Sequence, residues 1–122
     1  MNYTKFNIAG WPENVKALFR NILFTFTPES CDLILKCKGT ERRVKARVFA
    51  ANSLYVAAHI PSFCFSQISQ LTIDFCEPFE LEWIVHLAFG YEVWIEPESV
   101  ARMIDLCNQF GISFITQKLG NE

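Results

Sequence analysis

Cys31–Val56, CDLILKCKGTERRVKARVFAANSLYV, changes its hydrophobic period from two to roughly 3.6 without a long linker, and that change decides the fold. Leu33, Leu35 and Cys37 alternate with Ile34, Lys36 and Lys38, which gives a strand one buried face. Gly39-Thr40 supplies a turn, and Val44 and Ala46 continue a return strand. From Arg47 the spacing lengthens. Val48, Ala51 and Tyr55 recur at helical intervals with Phe49 and Val56 beside them, so one helix folds back over the hairpin it has just left.

Upstream, Phe6 and Ile8 alternate with Lys5 and Asn7, a short strand that has no stability alone and must find a sheet edge. Trp11-Pro12-Glu13 then opens a helix, since proline is tolerated in a first turn and a carboxylate is favourable there. Val15, Leu18, Phe19, Ile22 and Leu23 follow at i, i+3, i+4, i+7 and i+8, an amphipathic stripe. Downstream, Leu71, Ile73 and Phe75 alternate with Thr72 and Asp74 as a third strand of the main sheet. Pro78 starts a helix that Gly90 stops, and Tyr91–Ile95 is a short extended piece. Glu96-Pro97-Glu98-Ser99 opens another helix, ended by Gly111, and Phe114, Ile115 and Leu119 suggest one last short helix. The order predicts a single α+β domain over residues 1–122. It has a small mixed sheet, a flanking cluster of short helices, and an N-terminal strand (residues 1–10) and helix.

Composition narrows the function. With 51% apolar residues, twelve phenylalanines and a positive mean hydropathy, the chain holds more apolar surface than so small a unit covers alone, so a second subunit is expected. A net charge of −2 argues against direct nucleic-acid binding. No apolar run reaches membrane length and no signal peptide opens the chain, so an intracellular protein without membrane contact is expected. Cys31, Cys37, Cys64, Cys76 and Cys107 show no metal-ligand spacing and read as reduced, buried packing residues. His59 and His86 sit beside no nucleophile motif, and Glu13, Glu96 and Glu98 fit helix starts. No catalytic residue, cofactor or metal is expected, and the chain does not read as an enzyme.

The central stretch resembles the BTB (POZ) domain. Members show an Asp-led first strand, as in Cys31-Asp32-Leu33, a tight turn, as at Gly39, and a signature matched by Val48-Phe49-Ala50-Ala51-Asn52-Ser53-Leu54-Tyr55. The family usually has His where this chain has Lys45, and often Pro where it has Leu54. Phe6-Asn7-Ile8-Ala9-Gly10-Trp11, with Asn14-Val15, Leu18-Phe19 and Ile22-Leu23, is similar to the N-terminal segment of the tramtrack group of insect transcription and chromatin factors. Ala9-Gly10 and Pro12 depart from that group's motif.

The resemblance implies an interaction module that forms a homodimer or larger assembly of a nuclear regulator, with the cytoplasm as the other location. Its interface would comprise Phe6, Ile8, Trp11, Val15, Leu18, Phe19, Ile22 and Leu23, the first strand being exchanged between subunits. BTB heteropartners and corepressor peptides are the further partners implied. The alternative is a cullin ubiquitin-ligase adaptor. Adaptors carry an apolar-x-Glu motif where this chain has Phe65-Ser66-Gln67, so weak or absent cullin binding is expected. Lys36, Lys38, Arg42, Arg43, Lys45 and Arg47 crowd one stretch; they read as a solvated hairpin edge or as a basic face for an acidic partner.

Overall fold

The computed structural model describes residues 2–25, 32–60 and 68–120, and within them the chain is α+β. Its elements are β1 (Tyr3–Ile8), α1 (Glu13–Thr25), β2 (Leu33–Cys37), β3 (Thr40–Val44), α2 (Ala46–Asn52), α3 (Leu54–His59), β4 (Ser69–Thr72), α4 (Pro78–Ala88), β5 (Val93–Ile95), α5 (Val100–Phe110) and β6 (Phe114–Leu119). A 3-10 turn, Pro97–Ser99, leads into α5.

Two three-stranded sheets form where one was expected. In the first, β2 pairs antiparallel with β3 and parallel with β4, so the order is β3-β2-β4. The hairpin turn falls on Lys38-Gly39, both at positive φ (46° and 84°), one residue earlier than the sequence suggests. That backbone matches the twist of the two strands, and glycine accepts it without strain. In the second sheet β1 lies between β5 and β6, antiparallel to both. Thr4, Phe6 and Ile8 turn inward and Tyr3, Lys5 and Asn7 stay half-exposed, as the period of two requires.

Two expectations change here. Residues 114–119 form a strand, not a helix, because Phe114–Leu119 meets β1 along its full length, Tyr3 opposite Leu119 and Ile8 opposite Phe114. The long ladder overrides a weak helical spacing. The first strand also finds both partners in its own chain, so a second subunit is not required to satisfy its edges.

The expected central helix is in fact two. Ser53 breaks it with an extended backbone (φ −134°, ψ 115°), accepts a hydrogen bond from Val56 N at 3.2 Å and donates one to Phe110 O at 2.6 Å. No proline is required for the break, because a capping hydroxyl supplies the stop and restart. Asp32 steadies the start of α2 by accepting a hydrogen bond from Ala46 N at 2.5 Å. Around this corner the core gathers aromatic rings: Phe110 lies 6.2 Å from Phe49, 5.8 Å from Tyr55 and 5.2 Å from Phe75.

Candidate functional site

Helix α1 is one place where the fold leaves apolar surface open, through Leu18 and the preceding Trp11. The Pro12 carbonyl accepts the first two helical hydrogen bonds, from Val15 N and Lys16 N, both 3.1 Å. The helix lies close against Gly90, where an added Cβ would come within 2.9 Å of the Lys16 carbonyl oxygen. Arg20 fixes the contact by donating to Gly90 O at 2.8 Å. Glycine is thus required by both its φ of 85° and this approach.

The charges of α1 are gathered on one side and already spent on each other. Glu13 pairs with Arg20 at 2.5 Å and with Lys16 at 3.5 Å, and Arg20 is the first cause of the lowered pKa of Glu13. Around the helix from that stripe lies an uncharged exposed face, Asn14, Ala17, Leu18 and Asn21, bordered by half-buried Val15 and Ile22. Leu18 is 61% exposed. The face is continued by Trp11, whose ring meets Phe19 edge-on at 5.2 Å. A cavity of about 190 Å³ separates Trp11 from Leu54, which is 75% exposed.

The eight interface candidates therefore divide. Trp11, Val15, Leu18, Phe19 and Ile22 are wholly or partly accessible. Phe6, Ile8 and Leu23 are buried in the chain's own core and cannot face a partner from their present positions. For Phe6 and Ile8 the cause is β1 filling the slot between β5 and β6.

The basic candidates do not form one face. In the hairpin register Arg43 stands opposite Ile34 and Lys36 opposite Glu41, whereas Arg42 stands opposite Leu35, so Arg42 projects from the other side of the ribbon. Carboxylates answer three of them: Lys36 has Glu41 at 3.8 Å, Arg42 has Glu82 at 2.9 Å, and Lys38 bonds Glu77. Lys45 precedes α2 and Arg47 lies in its first turn. Lys36, Lys38 and Arg42 are thus charge-balanced on the hairpin.

Two polar arrangements escaped the sequence reading. Asn52, buried at the end of α2, accepts from Trp11 Nε1 at 2.5 Å and donates to Ala88 O at 2.8 Å, which ties the N-terminal segment to α4. Glu80, also buried, accepts from Arg102 at 2.8 and 3.1 Å and from Glu77 N at 2.8 Å. The Arg102 bond is the first cause that holds the Glu80 carboxyl below its ordinary pKa. Nothing local in the sequence marks either bond, since the partners lie far along the chain.

Cys37, Cys76 and Cys107 are free and buried, and burial pushes Cys76 and Cys107 up to about 12. Cys31, Cys64 and the Phe65-Ser66-Gln67 segment lie outside the described residues. Among the described residues no His, Cys, Asp or Glu group could hold a metal ion, and no helix is long and apolar enough to cross a membrane.

A family model described as BTB/POZ domain matches residues 23–122, which takes in every element from the end of α1 onward. Among solved structures, the BTB domain of zebrafish PATZ1 superposes with a TM-score of 0.65 at 16% identity, covering 84% of this chain and 86% of that one. The BTB (Tramtrack and Bric a brac) domain of human Gigaxonin gives a TM-score of 0.66 at 18% identity, with 84% of each chain covered. At these identities the likeness is one of fold. Curated protein sequences give no match.

Proposed function

The chain belongs to the BTB/POZ domain family, whose members are generally protein–protein interaction modules, and from that premise we propose that it joins two copies of itself through α1. The observation that carries this is the uncharged stripe Asn14, Ala17, Leu18 and Asn21, set apart from the satisfied Glu13, Lys16 and Arg20. A twofold contact brings the same patch against itself, so a charge near the axis meets its own copy and one farther out must find an opposite charge across the axis or be buried unpaired. A patch with none avoids that cost. Trp11 and Leu54 extend the apolar area at one end, and Val15 and Ile22 lose their remaining exposure on contact.

Exchange of β1 between the two copies is compatible with this assembly, because the partner's strand would make the same ladder to β5 and β6. BTB heteropartners and corepressor peptides would meet the assembled pair. The nuclear, transcriptional setting rests on the N-terminal segment's similarity to the tramtrack group, and imaging of a tagged full-length protein tests it. Light scattering across a micromolar concentration series tests self-association. A mass of twice the chain or more is expected, and a folded monomer throughout would overturn the reading.

A further inference from the structure

The face of the fold that carries β5 and the outer side of α4 holds a second apolar concavity, about 420 Å³ in volume, with an aromatic lining. From α4 come Phe79, Trp83 and His86; from the following segment come Tyr91, Val93 and Trp94. Phe79 is 60% and Trp94 55% exposed, so among the described residues two large rings stand without a covering element. They are ordered by neighbours: Phe79 meets Trp83 edge-on at 5.4 Å, and Trp94 meets Tyr3 at 6.3 Å. Exposed aromatic area gathered in this way marks an interaction site more often than scattered single residues do.

The rim is acidic. Val93 and Ile95 turn inward, so Glu92, Trp94 and Glu96 form one outward row along β5, their side chains ~7 Å apart. Glu92 is shared with Lys5 at 3.3 Å, and Glu82, on the α4 side, with Arg42 at 2.9 Å. Glu96 and Glu98 have no ion-pair partner among the described residues, and their mutual contact raises the Glu96 pKa. Glu82 and Glu92 thus line the groove paired with Arg42 and Lys5, and the two carboxylates left over, Glu96 and Glu98, follow Trp94 just past the end of β5. Beside it β5 is an edge strand, paired with β1 on one side only.

We infer that the α4–β5 groove docks an extended segment of a partner protein bearing lysine or arginine. Each feature has a role in that fit. The open side of β5 offers backbone hydrogen bonds to an added strand. The faces of Trp83 and Trp94 attract a cationic head and pack its aliphatic stem. Glu92, Glu96 and Glu98 supply the opposite charge. Tyr91, Glu92 and Trp94 border the charged side of α1, at Glu13 and Arg20, while none of Asn14, Ala17, Leu18 and Asn21 lines the groove, so docking does not use the uncharged stripe.

The test is fluorescence anisotropy with a labelled peptide alternating arginine and valine, and with its glutamate-valine counterpart, at low and high salt. The arginine peptide should bind at least tenfold more tightly than the glutamate peptide, and weaken as salt rises. Trp94→Ala and the double variant Glu96→Lys with Glu98→Lys should each cost tenfold or more, with circular dichroism showing an unchanged fold. Leu18→Asp should leave binding intact. Equal binding or no binding by the two peptides overturns the inference, as does an unaffected Trp94→Ala protein. So does an equal loss on reversing Glu41, which would show a general charge effect. If Trp94→Ala instead alters the mass in solution, the groove is a contact between copies and the inference also fails.

Discussion

Arg102 on α5 grips the buried carboxylate of Glu80 on α4 with two hydrogen bonds, 2.8 and 3.1 Å, while its second terminal nitrogen also reaches Phe75 O at 2.8 Å. One cation thereby joins α4, α5 and the segment after β4. Glu80 at the same time closes the capping box of α4 with Glu77. Because Arg102 is 37% exposed, solvent screens part of the interaction, and Glu80→Gln should cost ~1–2 kcal/mol at neutral pH. Glu80 has a depressed folded-state pKa, so its stabilisation is full above the unfolded value of about 4.3 and fades as pH falls through the lower folded value. Urea unfolding of both proteins should show a gap at neutral pH that closes in acid.

The Trp11–Asn52 bond gives a second stability test. Asn52→Leu removes the acceptor for Trp11 Nε1 and leaves the Ala88 carbonyl without its side-chain donor, for a loss of ~1–3 kcal/mol. Trp11→Phe removes one hydrogen bond at a partly exposed site and should cost ~1 kcal/mol or less. A double-mutant cycle in urea should return a coupling of ~0.5 kcal/mol or more.

Phe6 is fully buried between the two flanking strands and touches Phe114 at 5.3 Å between ring centres. Phe6→Ala should therefore destabilise by ~3–5 kcal/mol, the range for emptying an aromatic core site. Deleting residues 1–9 should lower the thermal midpoint further still, since β5 and β6 lose the strand between them. An unchanged midpoint in either protein would mean that β1 does not occupy this slot.

Cys76 and Cys107 should resist alkylation at pH 8. Burial keeps both thiols at about 12, so almost no thiolate exists to react, and access is closed as well. Mass spectrometry after iodoacetamide should find both unmodified in the native protein and both labelled in urea.

The elements whose pattern is local were legible in the sequence. The period-two run from Leu33 and the stripe Val15, Leu18, Phe19, Ile22 and Leu23 gave β2 and α1, and Gly90 and Gly111 marked the ends of α4 and α5. Features set by distant partners were not. The break at Ser53 depends on the Phe110 carbonyl, and β6 depends on β1 at the opposite end of the described chain. The same holds for the site. The apolar stripe was readable, but Phe6 and Ile8 were placed at an interface because nothing local reveals that β5 and β6 enclose them. Crowding of Lys36, Lys38, Arg42 and Arg43 suggested a face, which the register of the hairpin divides.

The most direct test of self-association through α1 is sedimentation equilibrium on the unmodified chain and on Leu18→Asp. At 61% exposed, Leu18 contributes little to the fold of one copy, so the variant should stay folded. A twofold interface counts the residue twice, and losing the burial of its exposed part in both copies costs ~2–4 kcal/mol, about 30- to 1,000-fold in the dissociation constant. The account predicts a dimer or larger assembly for the unmodified chain and a folded monomer for Leu18→Asp at the same micromolar concentration. Identical masses for the two proteins would contradict it.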